Sequence, residues 1–139
     1  MSERMNSYGG SMKYRVAIGT TDLINVTEHF GQCRCFFIIE IDQKEEGYIV
    51  IEKRETAHSL SCGVHQNEAI LDKIKSLHDC QIVLVKQMGG QTEKLLIHND
   101  IIPLQYQGRI EDALKKIGKY YLKQIFYRKD VTYDHKFIE

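Results

Sequence analysis

The chain has 139 residues, of which 42% are hydrophobic and 27% are charged, a length and composition typical of one compact domain. Nineteen Lys and Arg residues balance nineteen Asp and Glu residues, so the formal net charge is zero. This balance argues against a nucleic-acid-binding protein that relies on overall positive charge, although it is compatible with a small local basic patch.

The sequence contains no segment that predicts a membrane span or a secretory signal. Its longest apolar run, residues 35–39, is far shorter than the ~20 residues that cross a bilayer. The N-terminal residues are polar and lack the apolar stretch of a signal peptide, so we expect a cytoplasmic protein. In a reducing cytosol the cysteines are expected to be thiols, metal ligands or core residues rather than disulfides.

Three regions are predicted from composition and periodicity. Residues 1–12 include a Gly- and Ser-containing stretch without apolar periodicity and are interpreted as a flexible tail. An α/β domain is predicted over residues 13–119. Residues 120–139 form an aromatic and charged extension that the sequence allows to pack either on the domain or against a second copy.

The first half of the domain is predicted to contain three strands. Residues 14–19 form the first strand, and a polar loop follows it. Residues 33–41, rich in Phe and Ile, and residues 48–53 are joined by a charged turn and are predicted to form a hairpin.

Strands and helices alternate in the second half. Ile70, Ile74 and Leu77 mark the apolar face of a helix, and residues 81–85 form a continuous apolar run typical of a parallel strand buried on both faces. A helix over 92–98 and a strand over 101–104 follow, the latter at a sheet edge because Pro103 lacks an N–H group. The last helix has an apolar face formed by Ile110, Ala113, Leu114 and Ile117.

The resulting order, β-β-β-α-β-α-β-α, predicts a mixed five-stranded sheet that is parallel in its second half. In this topology the loops after the first, third and fourth strands meet the start of the second strand at one edge of the sheet. Ligands of open α/β sheets bind at this kind of edge. We expect this edge of the sheet to bring together His29, Cys33, Cys35, His58, Cys62, His65, Gly89 and Gly90. His78, Cys80 and His98 are expected at the opposite edge.

The cysteines offer a possible metal-ligand set. Cys33 and Cys35 are two residues apart, a spacing that places both side chains on the same face of a strand. Cys62 and His65 add a Cys-x-x-His pair in a glycine-containing loop. Together they form a Cys3His composition known for zinc and iron–sulfur sites. The alternative is that these cysteines are core residues, since free Cys is among the most frequently buried residue types.

Two further features could serve a ligand. His29 lies in a loop close to Gly31, where an imidazole is either an accessible metal ligand or simply solvated. Gly89 and Gly90 lie between a buried strand and a helix start, where backbone N–H groups can hold an anion. The alternative for the glycine pair is a tight turn that needs glycine geometry. No nucleophile–base–acid set accompanies these residues, so the sequence gives little support for an enzyme.

The pattern resembles the dinitrogenase iron–molybdenum cofactor biosynthesis family, the NifX/NafY-type domain that is also fused at the end of NifB. The resemblance is carried by Val-Thr-Glu-His-Phe-Gly-Gln at 26–32 between a first strand and an aromatic-rich strand. It continues through Met-Gly-Gly at 88–90 and Asp-Ile-Ile-Pro at 100–103, and it covers about residues 13–118.

This resemblance implies a ribonuclease-H-like, three-layer α/β fold without nuclease residues. It also implies a non-catalytic carrier that binds an iron–sulfur or iron–molybdenum cluster, or a precursor, and passes it between assembly proteins. His29 would match the motif histidine of the family, and Gly89 and Gly90 its glycine turn. The thiol set of Cys33, Cys35 and Cys62 is a departure that favours fuller ligation by cysteine.

Three hypotheses follow from these residues. The first is the cluster carrier, in which Arg34 adds a positive charge beside an anionic cluster and the partners are cofactor assembly or acceptor proteins. The second is a zinc-bound protein-interaction adaptor that uses the same ligands. The third is a thiol redox sensor based on Cys33 and Cys35 with Cys62 as the resolving partner. A homodimer is compatible with all three, and neither a nucleic acid nor a membrane is expected as a partner.

Overall fold

The computed structural model describes residues 13–43, 47–56 and 66–120. The predicted N-terminal tail, most of the loop after the third predicted strand and the extension from residue 121 lie outside the described residues. These described residues form seven strands, three α-helices and one 3-10 turn. The strands are β1 Lys13–Ile18, β2 Asn25–Val26, β3 Cys35–Asp42, β4 Tyr48–Glu55, β5 Ile82–Val85, β6 Ile102–Gln105 and β7 Gly108–Arg109. The helices are α1 Gln66–Lys75, α2 Gly90–His98 and α3 Ile110–Tyr120, and the 3-10 turn is Phe30–Gln32.

The main sheet is mixed and five-stranded, as predicted, with the strand order β4-β3-β1-β5-β6. β3 runs antiparallel to both β1 and β4, whereas β1, β5 and β6 are parallel. Pro103 lies in the edge strand β6, which confirms its predicted position. β2 and β7 pair in a small separate sheet that the sequence analysis did not predict.

Helices cover both faces of the main sheet because successive strand residues point to opposite sides. Val16 and Ile18 belong to a buried cluster with α3, contributed by Ile110, Ala113 and Ile117. Ala17 lies in a second buried cluster with residues of α1 and α2, namely Ile74 and Leu96. No helix in the described part of the chain is long and apolar enough to cross a membrane.

The second predicted strand begins later than expected. The 3-10 turn Phe30–Gln32 ends just before the predicted segment with Cys33 as its C-cap, and the Cys33 N–H donates to the Phe30 carbonyl at 3.3 Å. β3 therefore starts at Cys35 rather than at Cys33. This shift removes the basis for placing the two thiols on one strand face.

An ion-pair network connects β1 and β4 with the turn after α1. Asp79 accepts hydrogen bonds from Arg54 at 2.7 and 3.0 Å and from Arg15 at 2.9 Å. Arg54 also donates to the Ser76 carbonyl at 2.9 Å. The hydrogen bonds from Arg54 hold the pKa of the Asp79 carboxyl well below its usual range.

Asp79→Asn is expected to lower the free energy of unfolding by about 1–3 kcal/mol at neutral pH, because charge-assisted hydrogen bonds are lost. The pKa of Asp79 is lower in the folded state than in the unfolded chain. Its contribution is therefore complete above the unfolded value of about 3.9 and is lost as the pH falls through it toward the folded pKa. Urea unfolding of both proteins should show their difference shrinking below about pH 4.

Glu111→Gln is the matched control. Glu111 and Arg109 form a pair at 3.8 Å whose side chains are 67% and 62% exposed. Exposed pairs contribute little, so a change below about 0.5 kcal/mol is expected. Equal losses in the two variants would contradict a structural role for the Asp79 network.

Candidate functional site

The motif segment, residues 26–32, lies across the carboxyl ends of β1 and β5. The carbonyl of Gly19 accepts the N–H groups of Thr27 and Glu28, both at 3.1 Å. The Lys86 N–H donates to the Glu28 carbonyl at 2.8 Å, and the Phe30 N–H donates to the Gln87 carbonyl at 3.0 Å. His29 and Gln87 pair as in a parallel ladder. The backbone of the segment is thus fixed to the sheet edge where the sequence analysis predicts the site.

Gly19 allows this close approach. A Cβ atom built on it would lie 3.1 Å from both Glu28 Cβ and Val85 Cγ1, and 3.4 Å from Cys33 Sγ. A side chain at this position would push the motif segment away from β5. The sequence analysis assigned Gly19 to the end of a strand and did not predict this role.

Lys73 of α1 fixes the motif segment through hydrogen bonds from the buried side of the segment. Only 1% of its surface is exposed, and its Nζ donates to the carbonyls of Phe30 at 3.0 Å, Gly31 at 3.1 Å and Cys33 at 2.9 Å. Nζ also lies 5.4 Å from the centre of the Phe30 ring. Burial lowers the pKa of the Lys73 ammonium from its ordinary value. None of the ion pairs found among the described residues includes Lys73, so its hydrogen bonds there go to uncharged carbonyls.

The role of Lys73 in the site was not predicted, although its position on the apolar face of a helix is visible in the sequence. Ile70 and Ile74 mark the apolar face of α1, Leu77 continues the same spacing just beyond the end of the helix, and Lys73 lies three residues after Ile70 on that face. A lysine within an apolar stripe must find acceptors for its three N–H donors inside the protein. The carbonyls of the 3-10 turn are those acceptors.

Cys33 lies in the core rather than on the surface of the site. It is 1% exposed, packs in the cluster on the α1 and α2 side of the sheet, and donates its S–H to the Cys35 carbonyl at 3.0 Å. Burial raises the pKa of the Cys33 thiol to about 12. In the described structure Cys33 thus packs as a core residue, which is the alternative that the sequence leaves open for it. Cys80, predicted as a core residue, is buried as expected.

The remaining predicted residues divide between the surface of this edge and undescribed parts of the chain. His29, Gly31 and Arg34 are exposed, and Cys35 is half-buried at the start of β3. His58, Cys62 and His65 lie outside the described residues. Within the described ranges, no group of three or more His, Cys, Asp or Glu side chains could hold a metal ion.

Three glycines of the site are not explained by a positive φ angle or by close packing against the described residues. Gly31, Gly89 and Gly90 do not adopt positive φ angles, and among the described residues a Cβ atom added at any of them would meet nothing within 4 Å. The interpretation of Gly89 and Gly90 as a turn that needs glycine geometry is therefore wrong. Their missing side chains leave the backbone beside the motif segment open to the approach of a large ligand.

The amino end of α2 adds polarity suited to an anion. Gly89 is the N-cap and provides no side-chain hydrogen bond to the first turn of the helix. The free N–H groups of such a turn carry partial positive charge. The Met88 N–H is already bound to Gln105 Oε1 at 3.0 Å, which fixes the loop before the helix.

Lys73→Met is expected to lower the free energy of unfolding by about 1–3 kcal/mol, because buried carbonyls lose their donor. The Gln32 and Cys33 amides, bonded within the turn to the carbonyls of His29 and Phe30, should exchange with deuterium faster. Lys75→Met, at an exposed position of the same helix, is the control and should change stability by less than about 0.5 kcal/mol. Equal behaviour of the two variants would rule out the clamping role of Lys73.

Native alkylation with iodoacetamide is expected to modify Cys35 much faster than Cys33 or Cys80. Burial raises the pKa of both Cys33 and Cys80 to about 12, which leaves almost no thiolate at neutral pH. Peptide mass spectrometry would measure each site with and without denaturant. Fast modification of Cys33 in the native protein would show that its thiol is accessible after all.

Comparisons with known proteins identify the family of this chain. The family model for the dinitrogenase iron–molybdenum cofactor family matches residues 12–120. Protein NifY of Klebsiella pneumoniae is 30% identical over 91 residues, a match that covers 66% of this chain and 37% of NifY. This chain thus corresponds to little more than a third of that relative. The crystal structure of PH0822 is 25% identical, with a TM-score of 0.52, over 76% of this chain and 90% of PH0822. The chain belongs to the dinitrogenase iron–molybdenum cofactor family.

Proposed function

We propose that this protein is a non-catalytic carrier that binds an iron–sulfur or iron–molybdenum cluster, or its precursor, for metallocofactor assembly. The observation that carries the proposal is the open backbone at Gly31, Gly89 and Gly90 beside the exposed His29. No contact among the described residues requires these glycines, whereas a bulky inorganic ligand needs the space that they leave. The family and the resemblance to NifY support the same reading.

His29 is the proposed ligand on the described surface. Its backbone is fixed by the pairing with Gln87, and its side chain is exposed to solvent. Cys35 can add a thiolate from the start of β3, and Cys62 and His65 remain candidate ligands from outside the described residues. We assign Cys33 to the core, because its sulfur is buried and its pKa is raised to about 12. A site with one imidazole and few thiolates makes fewer strong bonds to a cluster than a site with four cysteines. Such a site suits a cluster that must later be released.

The electrostatics of the site favour an anion. Iron–sulfur clusters with thiolate ligands carry net negative charge. The amino end of α2 presents N–H groups, Arg34 is exposed on the motif side, and the ammonium of Lys73 lies directly beneath the motif segment. Because Lys73 bonds neutral carbonyls, its charge remains to attract an anionic ligand above the loop.

The other hypotheses receive less support. A closed zinc site built on Cys33 and Cys35 would require the buried Cys33 sulfur to leave the core. A redox pair of the same residues would require a reactive Cys33 thiol, which its raised pKa opposes. The proposal includes a ribonuclease-H-like classification of the fold, a cytoplasmic location and transfer to cofactor assembly or acceptor proteins.

The proposal is tested by reconstitution of the full chain with iron and sulfide without oxygen, followed by iron and sulfide analysis and visible spectroscopy. The wild type should bind iron and sulfide. His29→Ala, Gly31→Leu and Gly90→Leu should each lower cluster affinity at least about tenfold while the fold is kept. The glycine variants act by filling open space, so circular dichroism should remain unchanged.

Matched controls separate site effects from general ones. His98→Ala removes an exposed histidine at the carboxyl end of α2, and Gly118→Leu fills open space on α3. Both controls should bind the cluster as the wild type does. A wild type that holds no cluster, or site variants that retain it fully, would refute the carrier function.

A further inference from the structure

A groove runs along one flank of α3 beside the hairpin of β3 and β4. Its volume is about 700 Å³. Leu114, Lys115 and Gly118 line it from the helix, and Ile41 and Tyr48 line it from the strands. A Cβ atom added at Gly118 would meet no described atom within 4 Å, so among the described residues the groove is open at this point.

β4 adds an apolar strip beside this groove. Tyr48 pairs with Ile41 and Val50 with Ile39, which places both on the side of the sheet where α3 packs. Among the described residues, Tyr48 is 38% and Val50 is 44% exposed. Ile49 pairs with Glu40 and points to the opposite side. An exposed apolar strip beside a groove is typical of a surface that binds another polypeptide segment.

The C-terminal segment, residues 121–139, leaves the domain at this groove. The described part of α3 ends at Tyr120, two residues after Gly118. The part of α3 that lines the groove, residues 111–118, is about 10 Å long at the helical rise per residue. Residues 121–139 span more than twice this length even as a helix, so the segment is long enough to turn and run back along α3.

The other undescribed segments fit the groove less well. The loop 57–65 begins beyond Glu55, at the far end of β4 from Tyr48, and leads into α1, which packs on the opposite face of the sheet. Residues 44–46 are taken up by the connection of β3 with β4. Residues 1–12 enter β1 beside Tyr14, which also lines the groove, but they include a single aromatic residue.

The composition of the C-terminal segment suits an apolar groove. The chain contains eight Tyr and five Phe residues, and five of these aromatic residues fall within residues 121–139. They are Tyr121, Phe126, Tyr127, Tyr133 and Phe137. Segments that remain in solvent are poor in aromatic residues, because they have little apolar surface to bury. This segment has apolar surface to bury, and the nearest open apolar surface among the described residues is the groove.

The charges of the two surfaces are complementary. Lys123, Arg128 and Lys129 give the first half of the segment three positive charges, and residues 121–129 contain no acidic residue. Asp42 and Glu111 line the groove and outnumber the single lysine there. A basic segment is attracted to such a surface.

We propose that residues 121–139 turn back along α3 and dock in this groove, where they cover Tyr48 and Val50. The family model matches residues 12–120, so the docked segment is an addition to the family domain. The groove includes Tyr14 at the start of β1, whereas His29 lies beside the carboxyl ends of β1 and β5. Docking therefore leaves the proposed cluster site free.

Limited trypsin digestion of the full chain, followed by mass spectrometry, tests the docking. Cleavage after Lys123, Arg128 and Lys129 should be slow in the native protein and fast in urea. Tyr48→Ser removes a ring that lines the groove and should speed this cleavage at least about fivefold, because the segment undocks more often. Ile49→Ser is the matched control, since Ile49 is 62% exposed on the opposite face, and it should change the rate less than about twofold.

Gly118→Leu tests the helix side of the groove. In an empty groove this change should raise the thermal midpoint, since glycine is a poor helix former. With the segment docked, the leucine takes up its space, so the thermal midpoint should fall and cleavage after Lys123 should become faster. A raised midpoint with unchanged cleavage would contradict the proposal.

Other outcomes would also overturn it and would name a different occupant. Native cleavage as fast as in urea would leave the groove open to a partner protein. Equal cleavage rates in Tyr48→Ser and Ile49→Ser would place the segment elsewhere on the domain, and faster cleavage after Arg4 alone in Tyr48→Ser would assign the groove to residues 1–12. Protection that is lost on dilution, together with a dimer in sedimentation velocity, would assign it to a second copy. None of these measurements needs iron, so their results are independent of the proposed carrier function.

Discussion

The contact between Lys73 and the turn beneath His29 is the constraint on which the site depends. One ammonium group supplies three N–H donors, and the three carbonyls that receive them belong to Phe30, Gly31 and Cys33. Within the turn the Phe30 carbonyl also accepts the Cys33 N–H at 3.3 Å, and a turn this short provides few such backbone donors. By binding all three, Lys73 joins α1, the motif segment and the chain entering β3 into one unit.

This clamp separates an inner side of the motif segment from an outer side. On the inner side Phe30 is fully buried against Phe36, with ring centres 5.7 Å apart, and Cys33 lies in the same core. On the outer side His29 is exposed beside open backbone. A buried ammonium costs several kcal/mol of desolvation, and its hydrogen bonds offset part of this. An anionic ligand above the loop would offset more, which links the stability of the turn to ligand binding.

The mixed five-stranded sheet could be predicted from the sequence, because a few segments have residue patterns that fit one structural position only. The uninterrupted apolar run of β5 requires burial on both faces, and Pro103 requires an edge. For Cys33 the sequence left two positions open, the metal site or the core, because the 3-10 turn that places it before β3 has no marker in the sequence. Lys73 was visible on the apolar face of α1, but its acceptors lie about forty residues away and depend on tertiary structure.

The glycines explain why such a site suits temporary binding. Gly19 is required because the motif segment packs against it, with 3.1 Å left to the nearest atoms of a hypothetical Cβ. Among the described residues nothing fills the space beside Gly31, Gly89 and Gly90, so a ligand could enter and leave it without displacing a described side chain. The backbone beneath the site is thus fixed by packing at Gly19, whereas the space above the other three glycines holds no described side chain that a ligand must displace. The proposed carrier function would use this combination, because a fixed backbone orients a ligand and the space above it lets the ligand leave without unfolding the motif segment.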